Sequence, residues 1–147
     1  MKVSRGTDYG IQGILYLARQ PLERVSLLRD VAQAQKVPET YLAKIFQELG
    51  KAGLVRSHRG AKGGFSLGRP ASQITLRQVV EALQGPISLN RCLDIREGCW
   101  NSETCPVSEV LRKVQEQLLA TLDAANLEEM VARERTKKEA VCTCAAT

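Results

Sequence analysis

Cys92, Cys99 and Cys105 fall within one short segment, Arg91-Cys-Leu-Asp-Ile-Arg-Glu-Gly-Cys-Trp-Asn-Ser-Glu-Thr-Cys105, that offers them few apolar neighbours. An unpaired cysteine ordinarily behaves as a small core hydrophobe, so thiols set in polar chain point to ligation instead. Three thiolates on one flexible stretch can converge on a point, which is what a metal centre requires. Their spacing, C-x6-C-x5-C, lacks the C-x2-C to C-x4-C knuckle and the four ligands usual in structural zinc sites. Iron–sulfur clusters accept wider spacing and tolerate one ligand that is not cysteine, so a cluster is the first reading and zinc the second. A cluster held by three thiolates and one weaker ligand is open at that corner to oxygen, nitric oxide or loss of iron, the property a sensor needs. Cys142 and Cys144 form a C-x-C pair near the end of the chain. With no ligand type beside them, they stay outside the site.

A different chemistry lies upstream. The net charge of +5 is unevenly placed: residues 1–90 carry 13 Lys/Arg against 6 Asp/Glu, and residues 91–147 carry 8 against 10. A basic first part joined to a mildly acidic second part implies a polyanionic partner for the first part only. The apolar fraction, 44%, is enough for one ordinary domain with a real core. No apolar h-region follows Met1-Lys-Val-Ser-Arg, and no apolar run approaches a membrane span. The expected location is the cytoplasm, where thiols stay reduced, and cysteines there act as ligands or sensors rather than disulfide partners.

The elements that must carry both chemistries follow from periodicity. Residues 7–19 read as a helix with Ile11, Ile14, Leu15, Leu17 and Ala18 apolar, capped by Thr7 or Ser4, with Asp8 in its first turn. Ser26 is the expected cap of a short second helix that turns Leu27, Leu28, Val31 and Ala32 inward and Asp30 and Gln33 outward. After Lys36-Val37-Pro38 a third helix places Leu42, Ile45, Phe46 and Leu49 on one face. Gly53 ends it. Leu54–Ser57 and Gly64–Leu67 read as paired strands around the basic tip His58-Arg-Gly-Ala-Lys-Gly63. Thr75 caps a helix that closes at Gly85-Pro86. From Pro106 a long helix follows, with Val107, Val110, Leu111, Val114, Leu118 and Leu122 in one stripe and Arg112, Lys113, Glu116 and Gln117 opposite. The predicted fold is mainly α with a small β-hairpin wing, a winged helix–turn–helix domain plus a long dimerisation helix. Its expected divisions are residues 1–86 for the winged domain and 87–106 for the cysteine loop. Residues 107–131 form the dimerisation helix with a short helix at Asn126–Val131, and 132–147 a flexible tail. The apolar stripe of the long helix exceeds what a small winged domain can cover, and burial against its own copy gives a homodimer.

Double-stranded DNA is the polyanion this arrangement suits. Thr40, Tyr41, Lys44 and Gln47 lie away from the buried face of the third helix, and their hydroxyl, ammonium and amide groups can bond phosphates or base edges. Arg59, held beside Gly60 on a thin tip, can enter a narrow minor groove. His58 and Lys62 flank it and face phosphates or solvent. A dimer reads a palindromic promoter site. A small thiol enzyme is a poor alternative, because the one histidine, His58, lies far from the cysteines in sequence.

Together these residues resemble a known family. Met1-Lys-Val-Ser with Asp8-Tyr9, then Tyr41-Leu42…Phe46…Leu49…Gly53-Leu54-Val55, then Arg59-Gly60-Ala-Lys-Gly63-Gly64-Phe65…Leu67-Gly68 and the three cysteines are similar to the winged-helix iron–sulfur transcription regulators of bacteria, typified by IscR and NsrR. The similarity runs from Met1 to about Val131. It implies a homodimeric repressor with one cluster per subunit bound by Cys92, Cys99 and Cys105, and DNA reading through Tyr41, Lys44 and Arg59. For the fourth ligand, one branch of the family uses a histidine three residues after the last cysteine, where this chain has Ser108. Another uses an acidic residue near the first helix of the opposite subunit, where this chain has Asp8. Asp8, Glu97, Glu103, Ser108 and solvent all stand as candidates. A carboxylate in a helix's first turn also favours the dipole without any metal. Three thiolates with a carboxylate favour a 4Fe–4S over a 2Fe–2S cluster.

Overall fold

Ser4 stands in extended conformation ahead of α1 (Arg5–Ala18), where its hydroxyl accepts the Thr7 amide at 3.1 Å. This satisfies one of the N–H groups that a helix start leaves unpaired. The computed structural model describes residues 2–94, 96–101 and 103–145, with side chains as far as residue 138. Two further helices, α2 (Leu28–Gln35) and α3 (Glu39–Lys51), meet at a turn in which Lys36 takes a left-handed φ of 55° and Pro38 stands just ahead of α3. Leu42, Ile45, Phe46 and Leu49 are all buried, as their i, i+3, i+4, i+7 spacing predicts. Full burial of one such side chain contributes about 1.5–3 kcal/mol, which makes this face the anchor of the helix pair.

The wing is an antiparallel hairpin, β1 (Val55–His58) with β2 (Gly64–Leu67), in a register that pairs Val55 with Leu67 and His58 with Gly64. Phe65 packs edge-on against Phe46 with ring centroids 5.0 Å apart, which ties the wing to α3. Ser26 does not cap α2 as expected. Leu27, expected to face inward, is 40% exposed because it precedes that helix, which has no side-chain cap. The Ser26 backbone exchanges two 2.8 Å hydrogen bonds with Phe65 as a third, one-residue strand. A Cβ at Gly64 would lie 2.3 Å from the Ser26 carbonyl oxygen, so glycine there is what lets the two segments approach.

Thr75 begins α4 (Leu76–Gln84) with a full capping box, its hydroxyl on the Gln78 amide and the Gln78 side chain on the Thr75 amide. After the cysteine segment come α5 (Pro106–Ala124), with Pro106 in its first turn, and α6 (Leu127–Ala145). Two backbone bonds clasp the junction between them to the start of α4: the Leu76 amide donates to the Ala125 carbonyl at 2.8 Å, and the Leu127 amide to the Ile74 carbonyl at 3.0 Å. Arg77 adds an ion pair with Asp123 at 2.7 Å.

Two sequence expectations are corrected here. The division at residue 86 does not isolate a core, because Leu127 and Val131 of α6 are buried in the same cluster as Ile14, Leu42 and Val79. Nor does a loose tail begin at 132, since α6 continues to Ala145. Ion pairs one turn apart, Glu129 with Arg133 and Glu134 with Lys138, support that continuation. Arg19, just past the end of α1, also holds Glu134 at 2.6 Å. The hydrogen bond from Lys138, together with Arg19, keeps the Glu134 carboxyl below the usual carboxylate range. Cys142 and Cys144 lie outside the described side chains. Among the described residues no helix is long and apolar enough to cross a membrane.

Candidate DNA interface and cysteine centre

Thr40, Tyr41, Lys44 and Gln47 are all exposed on α3, opposite the buried Leu42, Ile45, Phe46 and Leu49. The helix therefore presents a polar strip backed by a rigid core. Beyond Gln47 the strip opens into a trough of about 800 Å³ between the C-terminal half of α3 and the wing. Lys51, Arg56, Ser57 and Arg59 line it alongside Phe46 and Phe65, with no carboxylate among the lining residues. Lys51 shares its charge with Glu48 at 2.7 Å, while Arg56 and Arg59 are exposed. A concave, cationic surface without acids attracts a polyanion.

Gly60 turns the tip of the wing with a φ of 109°, and the Gly63 amide closes that turn on the Gly60 carbonyl at 2.9 Å. Arg59 and Lys62 are carried exposed on either side of it. His58, assigned from sequence to phosphate or solvent, is instead half-buried with Nε2 2.8 Å from the Ser66 hydroxyl across the hairpin. Arg56 and Lys51 extend the cationic surface beyond the residues expected from sequence. The signal was present for Arg56: in a strand whose Val55 faces the core, the next side chain must face out.

The cysteine segment is tied at its base. The Ile87 amide donates to Glu81 Oε1 of α4 at 3.4 Å, and the Leu89 amide to Gln115 Oε1 of α5 at 3.0 Å. A 3-10 turn at Arg91–Leu93, capped by the Asn90 side chain, holds Cys92 half-buried. Cys99 is exposed beside Trp100, which is 96% accessible. Cys105, half-buried, immediately precedes α5; its amide donates to the Asn101 carbonyl at 3.0 Å, and its carbonyl accepts the Ser108 hydroxyl at 2.8 Å. All three thiols are free of disulfides.

Among the described residues, however, no three His, Cys, Asp or Glu side chains gather closely enough to hold a metal ion. The cysteines share a segment but not a point. Local ion pairs span the stretch between them: Arg91 with Glu97 at 2.9 Å and Arg96 with Asp94 at 3.3 Å. The Arg96 hydrogen bond holds the Asp94 carboxyl below its ordinary range. Of the candidate fourth ligands, Asp8 is exposed in the first turn of α1, Glu97 is engaged by Arg91, Glu103 is exposed, and Ser108 is buried with its hydroxyl on Cys105. By type the donors fit a thiophilic iron centre: three reduced, accessible sulfurs on a short stretch, with a carboxylate rather than an imidazole as the remaining choice.

Helix–turn–helix, wing and acid-free trough together define a DNA-binding regulator of transcription. The family model Rrf2, described as an iron-dependent transcriptional regulator, matches residues 3–133. The chain belongs to that family, whose members regulate transcription and are not enzymes. Among solved structures it is similar to T. potens IscR, with 29% identity and a TM-score of 0.73 over 91% of this chain and 88% of that one. It is also similar to CymR (YrzC), the global cysteine regulator of B. subtilis, with 30% identity and a TM-score of 0.70 over 90% and 98%. Staphylococcus aureus CymR gives 26% identity and a TM-score of 0.67 over 87% and 96%.

Proposed function

We propose that this chain works as a homodimeric repressor whose hold on a palindromic promoter site changes with the state of an iron–sulfur cluster bound by Cys92, Cys99 and Cys105. The observation that carries the reading is the placement of three reduced, accessible thiols on one stretch, hydrogen-bonded to α4 at one end and running directly into α5 at the other. When bound, such a cluster supplies iron that reacts with oxygen or nitric oxide; 4Fe–4S is favoured over 2Fe–2S. Cys92 and Cys105 sit on ordered turns at either end of the segment, and the exposed Cys99 closes on them from the loop between. Asp8 supplies a carboxylate from the opposite subunit. The pairing of subunits is supported by α5, of which Ser108 is the one buried residue, while Val107, Val110 and Val114 face outward. A helix with that composition needs a partner for its apolar side.

Purification without air tests the whole reading. The expected protein is brown, carries iron and sulfide, and binds a promoter duplex differently before and after the metal is removed. A colourless protein carrying zinc, with the same DNA affinity in both states, overturns the switch.

Two substitutions resolve its parts. Asp8→Ala is expected to retain iron but to change the Mössbauer spectrum at one iron site. An unchanged spectrum removes Asp8 and leaves Glu97, Glu103, Ser108 or solvent. On the DNA side the contacts are Thr40, Tyr41 and Lys44 of α3 with Arg59, Gly60 and Lys62 of the wing. Arg59→Ala is expected to weaken binding about tenfold and to lower the salt slope by about one phosphate's share. A loss confined to duplexes with a narrow central minor groove assigns Arg59 to shape readout instead, and unaltered binding removes the wing from the interface.

A further inference from the structure

We infer that Gly6 and Tyr9, at the start of α1, are positioning residues that seat Tyr41 for its contact with DNA; the inference rests on Tyr41 being one of the DNA contacts proposed above. Tyr41 is 43% exposed on the reading face of α3. A side chain that open ordinarily samples several rotamers and must give up that freedom on binding. Here two features of α1 restrict it. The Tyr9 ring meets the Tyr41 ring at 88° with centroids 5.8 Å apart, an edge-to-face arrangement. The Tyr41 hydroxyl lies against Gly6, where an added Cβ would stand 3.0 Å from Oη and 3.8 Å from Cζ.

Glycine inside a helix is a poor choice on propensity alone. Of the three atoms nearest to a Cβ built at position 6, two belong to Tyr41 and the third to Ser4, so room for that tyrosine is what the glycine provides. The seat is itself fixed. Thr7, buried between Gly6 and Asp8, donates its hydroxyl to Gln84 Oε1 at 2.9 Å, and Tyr9 is half-buried against the core. Gly6, Thr7, Tyr41 and Lys44 line one shallow hollow, so the start of α1 and the reading face of α3 form a continuous surface.

The test uses the full-length protein, both cluster-loaded and cluster-free, and a duplex selected by the wild type from a random-sequence library, with affinity read by fluorescence anisotropy at one salt concentration. Gly6→Ala is expected to weaken binding about threefold to tenfold, the size of effect an aromatic seat supplies. Its melting temperature should stay level or rise, because alanine favours the helix. A merely structural role for Gly6 would lower both together. Tyr9→Leu should weaken binding to a similar extent, Tyr9→Phe should stay within about twofold because the ring is kept, and Tyr9→Leu combined with Tyr41→Leu should bind no more weakly than Tyr41→Leu alone. Wild-type affinity in both Gly6→Ala and Tyr9→Leu, with Tyr41→Leu impaired, overturns the seat while leaving the Tyr41 contact intact. Additive losses in the double variant overturn it as well. Wild-type affinity in Tyr41→Leu removes the contact and the seat with it.

Discussion

Cys99→Ser is expected to lower the iron content of anaerobically purified protein by more than about tenfold, since even the loss of an outer-shell partner costs a metal site that much. A serine hydroxyl stays protonated at neutral pH and is a poor ligand for iron, whereas a thiolate is a soft and strong one. With three sulfurs and one weaker oxygen donor in the proposed set, the loss of a single sulfur leaves two anchors. Cys99 is exposed and packs into no core, so the metal-free melting temperature of the variant should match that of the metal-free wild type. Cys105→Ser should behave alike, because its bonds to Asn101 and Ser108 use backbone atoms that serine retains. DNA affinity in either variant should then no longer respond to iron. Iron retained at the wild-type level with an unchanged absorption spectrum in Cys99→Ser would sink the assignment of that thiol.

The paired change Val110→Glu with Val114→Glu should convert a dimer to a monomer in sedimentation velocity and weaken binding to a palindromic duplex at least about a hundredfold, the size of the avidity lost when two linked half-sites are read separately. The residues are 61% and 46% accessible, so the chain's own fold does not depend on them. Against a twofold copy each valine would bury apolar area, and a glutamate there would place like charges together out of water. A variant that remains dimeric and binds as before would place the subunit contact elsewhere than on α5.

Much of the fold was legible because its causes are local. The spacing of Leu42, Ile45, Phe46 and Leu49, the stop at Gly53, the cap at Thr75 and Pro106 in a first turn each encode an element within a few residues. What was not legible depends on distant partners. Ser26 reads as a cap by type, but its backbone is claimed by Phe65. Residues after 132 read as tail from composition, but Arg19 reaches Glu134 from the far end of the sequence and helps order that turn. For the candidate site, the exposed strip on α3 followed from periodicity, and Arg59 from its glycine-flanked turn. The seat of Tyr41 did not, since no local pattern brings Gly6 and Tyr9 to it. The three cysteines could be found by spacing, but spacing says nothing of whether they meet; here the segment keeps them apart among the described residues.

The return of α6 into the winged core has a mechanical consequence. Because Leu127 sits at 0% exposure among residues of α1, α3 and α4, and the Ala125 carbonyl takes the Leu76 amide, α5 is a rod fixed to the winged body at its C-terminal end without a hinge of slack chain. Any tilt of that rod must be shared by the module that carries the reading helix. Two such chains joined rod to rod would present their reading helices at a separation set by rigid geometry, like the jaws of a fixed-gauge caliper.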